Sequence, residues 1–211
     1  MFKKNYIIYL VLCLLSFFFG ELTKYLLDVN QLLYNSLTEQ LSISKVDEMF
    51  ASARKWQLAG YFIIPLVLFL KTHIIAGVLS MGAFFFEKKL SYKKIWGIVL
   101  RAEFIFLAVI LVKTFWLYGF VDSFTIEDVQ SFYPLSMLSV IGAEGLEPWY
   151  LYPLQVVNIF EVIYWITLAL LLDRALKESK GNTGFKIVAS SYGPALIIWV
   201  VGIMFFTLNM N

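Results

Sequence analysis

Residues 58–86 read LAGYFIIPLVLFLKTHIIAGVLSMGAFFF, and this stretch decides the fold. An apolar run of roughly 18 residues or more is long enough to cross a bilayer as a helix. This one has 29 residues, so a single tilted or kinked helix is expected, with Pro65 in its first third. Two ionisable residues, Lys71 and His73, stand near its midpoint. A lone charge at that depth costs upwards of about 2.5 kcal/mol, so each is expected to face inward and find a partner.

Four more apolar stretches flank it: residues 6–27, 94–118, 150–172 and 185–208. The expectation is therefore an all-α, polytopic membrane helix bundle with five transmembrane helices, forming one domain over residues 1–211. Composition agrees. The chain is 60% hydrophobic and 15% charged, with mean hydropathy +0.77. A soluble domain carries about 25% charged residues. A net charge of +2 gives no reason to expect nucleic acid as a partner. The lipid bilayer is one expected partner, and proteins of a membrane complex are another.

The connections alternate in charge. Lys3 and Lys4 precede the first span. Lys88, Lys89, Lys93 and Lys94 join the second to the third, and Arg174, Lys177, Lys180 and Lys186 join the fourth to the fifth. Residues 120–149 instead hold Asp122, Glu127, Asp128, Glu144 and Glu147, with no Lys or Arg. The positive-inside rule then places the amino terminus in the cytoplasm and the carboxy terminus outside. No small-x-small site lies near Phe17 to Glu21, so the first span is expected to stay as an anchor. The Lys-, Phe- and Ile-rich composition suggests a bacterial plasma (inner) membrane.

Residues 29–55 carry Leu32, Leu33, Leu37 and Leu41, then Val46, Met49, Phe50 and Ala53, at helical spacing. One or two extracytoplasmic amphipathic helices are expected, the first over about residues 31–41 and a second capped at Ser44. A short helix is expected after Thr125, with Glu127 and Asp128 at its positive end. Pro194, in Ser190-Ser191-Tyr192-Gly193-Pro194, should bend the last span, with the serines meeting freed carbonyls.

Depth counting collects a polar layer. Lys71, His73, Glu103 and Glu161 fall at similar levels, with Arg101 nearby. Asn158 and Tyr164, three residues either side of Glu161, are expected on its face. Glu161 is expected to pair with Lys71 or His73. Such a layer serves either as a proton, ion or solute site, or as an ion-pair network that fixes helix packing. No catalytic motif accompanies it: the chain has no His-Glu-x-x-His, Gly-x-Ser-x-Gly or phosphate loop. Ser190 or Ser191 with His73 is the one nucleophile–base pairing on offer. His73 with Glu161 falls short of the three protein ligands zinc usually takes, and Cys13 is the sole cysteine. No cofactor, no metal and no enzyme activity are expected.

The stretches Phe86-Glu87-Lys88-Lys89-Leu90-Ser91-Tyr92-Lys93-Lys94-Ile95 and Val157-Asn158-Ile159-Phe160-Glu161-Val162-Ile163-Tyr164-Trp165 resemble the Yip domain family of five-span Ypt/Rab-interacting membrane proteins. The first is similar to that family's basic inter-helix turn, the second to the start of its fourth helix. The likeness spans residues 58–208, while the outer loops here are larger. It implies a non-enzymatic role in trafficking, membrane organisation or complex assembly. Together these features lead to a non-catalytic membrane subunit or scaffold, with a transporter or ion-pathway component as the alternative. A solvated path to the polar layer would favour the alternative; a dry, fully paired layer would favour the scaffold.

Overall fold

The structure, a computed structural model, describes residues 2–177 and 182–210. Lys180, in the basic connection, and the carboxy-terminal Asn211 lie outside them. The elements are α1 (Phe2–Leu26), α2 (Val29–Thr38), α3 (Ile43–Phe85), α4 (Tyr92–Ala102), α5 (Phe104–Phe120), α6 (Ile126–Ser131), α7 (Met137–Ile141), α8 (Pro148–Val156), α9 (Ile159–Leu176) and α10 (Thr183–Ile187). A π-helical turn (Val188–Tyr192) then leads into α11 (Gly193–Met210). The described residues form no strand.

Among the described residues, four helices are long and apolar enough to cross a membrane: residues 3–26, 59–85, 92–120 and 183–209. Their outward faces carry large apolar side chains that a water-soluble protein would hide. Phe62 is 78% exposed and Ile198 72%. α9 is not among the four. It has 18 residues, and Glu161, Asp173 and Arg174 interrupt its apolar character.

The α4–α5 unit is the central post. Ile95, Trp96, Ile98, Val99, Leu100 and Ala102 are all buried, so the middle of α4 is enclosed, while its first turn and Arg101 stay exposed. α1, α3 and α9 pack around it. α3 contributes Ile75, Ala76, Leu79 and Ala83, and α9 contributes Phe160, Tyr164, Leu168 and Leu172. Both stripes recur at three or four residues, which aligns them on one helical face. In lipid the hydrophobic effect does not drive helices together; close packing and interhelical hydrogen bonds, worth about 0.6 kcal/mol each on average, do. Those bonds are present. Asn5 donates to the Lys93 carbonyl (2.8 Å) and Tyr9 to that of Pro65 (2.7 Å). Thr23 and Thr114 share a bond of 2.7 Å, and Trp96 donates to Thr72 at 3.2 Å.

Several expected boundaries move. The second span does not begin at residue 58: α3 runs for 43 residues from Ile43. No breaker stands between Lys55 and Ala59, so the helix expected after Ser44 is simply the start of α3. Ser42, not Ser44, holds the N-cap position, without a side-chain capping bond. The helix expected over 31–41 occupies Val29–Thr38, and Leu41 closes the turn that follows. Leu32 of α2 packs against Leu27, Leu117 and Val129, and Tyr34 donates to Asp47 at 3.1 Å. That bond to the Asp47 carboxylate raises the Tyr34 phenol above its ordinary range. The third span holds a tight turn at Glu103, whose carbonyl accepts from Phe106.

The fourth span departs most. Instead of one helix over 150–172, it breaks between α8 and α9 at Val157 and Asn158, which leave the helical conformation, Asn158 with extended backbone. Asn158 favours this because its side chain satisfies local backbone groups better at a cap than inside a helix. Its amide donates to the Gln155 and Val156 carbonyls and its Oδ1 accepts from Glu161 N. The loop before α7 supplies the rest: Met137 N donates to Val157 O, and Ile159 N donates to Leu135 O. In the last span, Gly193 N reaches back to Val188 O and Ser191 Oγ donates to Ile187 O at 2.6 Å. The distortion expected from Pro194 thus takes the form of a π turn just before it.

Short elements follow their sequence signals. Thr125 and Asp128 form a reciprocal capping box at the start of α6. Gly142 and Gly145, with φ of 87° and 74°, make the turn that follows α7.

Candidate functional site

Four irregularities meet in the middle of the bundle: the turn at Glu103, the α8–α9 break, the π turn and the polar residues of α3. Measured along the helices from their lysine- and arginine-rich ends, Lys71, Glu103, Glu161 and Tyr192 lie about 14–22 Å in, at 1.5 Å per residue. A hydrocarbon core is about 30 Å thick, and half of it is a depth of this size.

Two carboxylates organise the site. Glu103 is 2% exposed. Its Oε2 pairs with Lys71 Nζ at 2.8 Å and its Oε1 accepts from the Tyr164 hydroxyl at 2.9 Å. The Lys71 ammonium also lies 4.1 Å above the Phe106 ring, whose face attracts a cation. Glu161 has different partners. Its Oε1 accepts from the Tyr192 hydroxyl (2.8 Å) and from Trp165 Nε1 (3.0 Å). Both donors are neutral and both use one oxygen. No buried side-chain polar atom among the described residues lacks a partner, so Oε2 is not sealed in protein.

Glu161 and Lys71 both line a cavity of about 790 Å³. Its apolar walls come from α3 (Val67, Leu70, Ile74), α5 (Val109, Ile110) and α11 (Leu196). Tyr133, Tyr152, Gln155, Asn158, Tyr192 and Trp199 add polar edges. Each structural irregularity contributes. The α8–α9 break places Asn158 and the first turn of α9 at the cavity wall. The π turn aims Tyr192 at Glu161. A second hollow of about 600 Å³, bordered by Glu21, Lys24 and Asp28, lies beyond the end of α1 and shares no residue with this site.

The expected polar layer is partly assembled. Lys71, Glu103, Asn158 and Glu161 come together, but in a different pairing. Lys71 binds Glu103 rather than Glu161. Tyr164 serves Glu103, not Glu161. His73 stands apart: its Nδ1 contacts the Phe69 carbonyl at 2.8 Å, and its ring lies against Phe69 and Trp96. Arg101 bonds the carbonyl of Gly97 in its own helix. The reason is azimuth. Two residues along a helix turn the side chain by about 200°, so His73 cannot share the face of Lys71, nor Arg101 that of Glu103. Asn158 is not one turn behind Glu161 on a shared helix but caps the helix on which Glu161 sits.

Sequence reasoning missed Trp165, Tyr192, Tyr133 and Tyr152. A signal existed for Trp165, four residues after Glu161 and hence on its face. Tyr192 stood beside the serines and Pro194. The two loop and α8 tyrosines carried no signal. Neither Ser190 nor Ser191 bonds His73; both donate to the Ile187 carbonyl. Among the described residues no group of His, Cys, Asp and Glu is placed to hold a metal.

Compared with protein-family models, curated proteins and solved structures, the chain matches none.

Proposed function

We propose that this chain is a transport component of a bacterial plasma membrane, which takes up its ligand in the cavity beside Glu161. In this reading α8 and α9 together make one crossing, giving five spans with a cytoplasmic amino terminus and an external carboxy terminus. α2 then lies at the outer surface. The observation that carries the reading is the cavity itself. A polar layer serving packing alone would be dry and fully paired, whereas Glu161 offers an open oxygen to about 790 Å³ of unfilled space. Helices unwound at mid-membrane are tolerated where they line a cavity, and transporters place binding sites at such breaks.

The scaffold reading retains one specific support. The amino-terminal part of α3 projects beyond residues 59–85 and exposes Ile43 (64%), Met49 (44%) and Trp56 (71%), a surface suited to a partner.

Thiol chemistry separates the two. Maleimides react with the thiolate, which forms only where water reaches. In a Cys13→Ser background reconstituted in lipid, Leu196→Cys at the cavity should react with N-ethylmaleimide. Ile197→Cys, facing lipid, and Leu168→Cys, in the packed core, should remain unlabelled. An unreactive Leu196→Cys would favour the scaffold.

A further inference from the structure

The acidic and basic groups around the cavity do not pair off. Lys71 and Glu161 line it, and Glu103 stands behind Lys71. The Lys71 ammonium is matched by Glu103 at 2.8 Å. Glu161 has only neutral donors, Tyr192 and Trp165. Its place in the first turn of α9 puts it at the positive end of the helix dipole. Neither Arg101 nor His73 lines the cavity to compensate it. The site therefore presents a carboxyl group without a cationic partner to the open space. A buried carboxylate without a counter-charge is costly, so a cation of matching shape that enters with its ionisation is favoured there.

The walls exclude a small hydrated ion. At about 30 Å³ per molecule, water filling the cavity would number roughly 26, most of it against aliphatic side chains. An apolar body replaces that water favourably. The size suits a drug-sized molecule, since ligand sites commonly span about 300–1,000 Å³. Phe106, Tyr133, Tyr152, Tyr192 and Trp199 add aromatic rings to the lining, and aromatic faces attract cations.

From this cavity and charge ledger we infer that the ligand is a lipophilic cation: a single positive centre held at Glu161 Oε2, with an apolar body along α3, α5 and α11. The assignment rests on the cavity reading above and adds the ligand's charge and class to it.

A matched ion pair tests it. Tetraphenylphosphonium and tetraphenylborate have nearly the same shape and opposite charge. The full chain in lipid nanodiscs, with empty nanodiscs subtracted, should bind tetraphenylphosphonium saturably and tetraphenylborate only as background. Glu161→Gln keeps an oxygen for Tyr192 and Trp165 but removes the charge. It should weaken the cation at least about tenfold while melting near the parent temperature. Leu196→Trp, which fills the cavity, should abolish binding. Saturable binding of the borate instead, or cation binding unchanged in Glu161→Gln, overturns the inference. Absence of saturable cation binding while Leu196→Cys still reacts with maleimide overturns the cationic assignment and leaves the cavity standing. Absence of both removes the cavity reading as well.

Discussion

Glu103 and Glu161 are chemically identical side chains at one depth, and their surroundings give them different work. Glu103 is sealed and ion-paired, so its contribution is structural. Removing one partner of a buried pair typically costs about 3–5 kcal/mol, and the solvent-facing part of Lys71, 40% exposed, reduces that here. Glu103→Gln and Lys71→Met should each lower the melting temperature of the purified protein. The double variant should recover part of the loss, with a coupling of about 1–3 kcal/mol in the cycle. Strictly additive losses would show that the pair contributes nothing. Sequence revealed that Lys71, Glu103 and Glu161 share a depth, because depth follows from counting residues along a span. It did not reveal the pairing, which depends on the rotation of each helix about its axis and on which helices are neighbours. The separation of His73 from Lys71 was legible all the same, since two residues carry a side chain to the far side of a helix.

At the scale of elements, glycine reports how closely the helices approach. A Cβ on Gly184 would collide with the Ala169 backbone carbonyl, where α10 turns back onto α9 and Gly184 N donates to Asp173 at 2.7 Å. A Cβ on Gly82 would come within 2.5 Å of Ser191 Oγ, which can rotate away at the expense of its bond to Ile187, and within 2.7 Å of Ser191 Cβ, which moves only if the π turn shifts. A Cβ on Gly77 meets nothing within 4 Å. The expected order of thermal stability is therefore Gly77→Ala above Gly82→Ala above Gly184→Ala. The first should equal or exceed the parent by up to about 1 kcal/mol, because alanine favours helix over glycine. Unfolding curves for the three variants check this, and a tolerated Gly184→Ala would contradict the packing of α9 on α10. Apolar runs located the long helices in the sequence, because length and hydropathy are local properties. The 43-residue reach of α3 was hidden by its polar first part, which reads as a separate element until the absence of any breaker is weighed. The α8–α9 break was hidden because an apolar run predicts continuity, and only Asn158 hinted at a cap.

For the whole molecule, a membrane helix bundle was legible in composition, but its interior was not. The cavity arises because α3 and α11 both meet the π turn yet diverge past it, leaving Leu70 and Leu196 to face open space. The π turn, with Pro194 just after it, and the α8–α9 break border that space, and they lie in separate stretches of the sequence. The cavity bordered by Glu161 and the α8–α9 break should persist in lipid. A high-resolution cryo-electron microscopy map of the full chain in lipid nanodiscs should show α8 and α9 separated at Asn158, Lys71 bound to Glu103, and water or ligand density against Glu161 Oε2. A continuous helix through Asn158, with Leu196 packed onto Leu70 and no space beside Glu161, would contradict it.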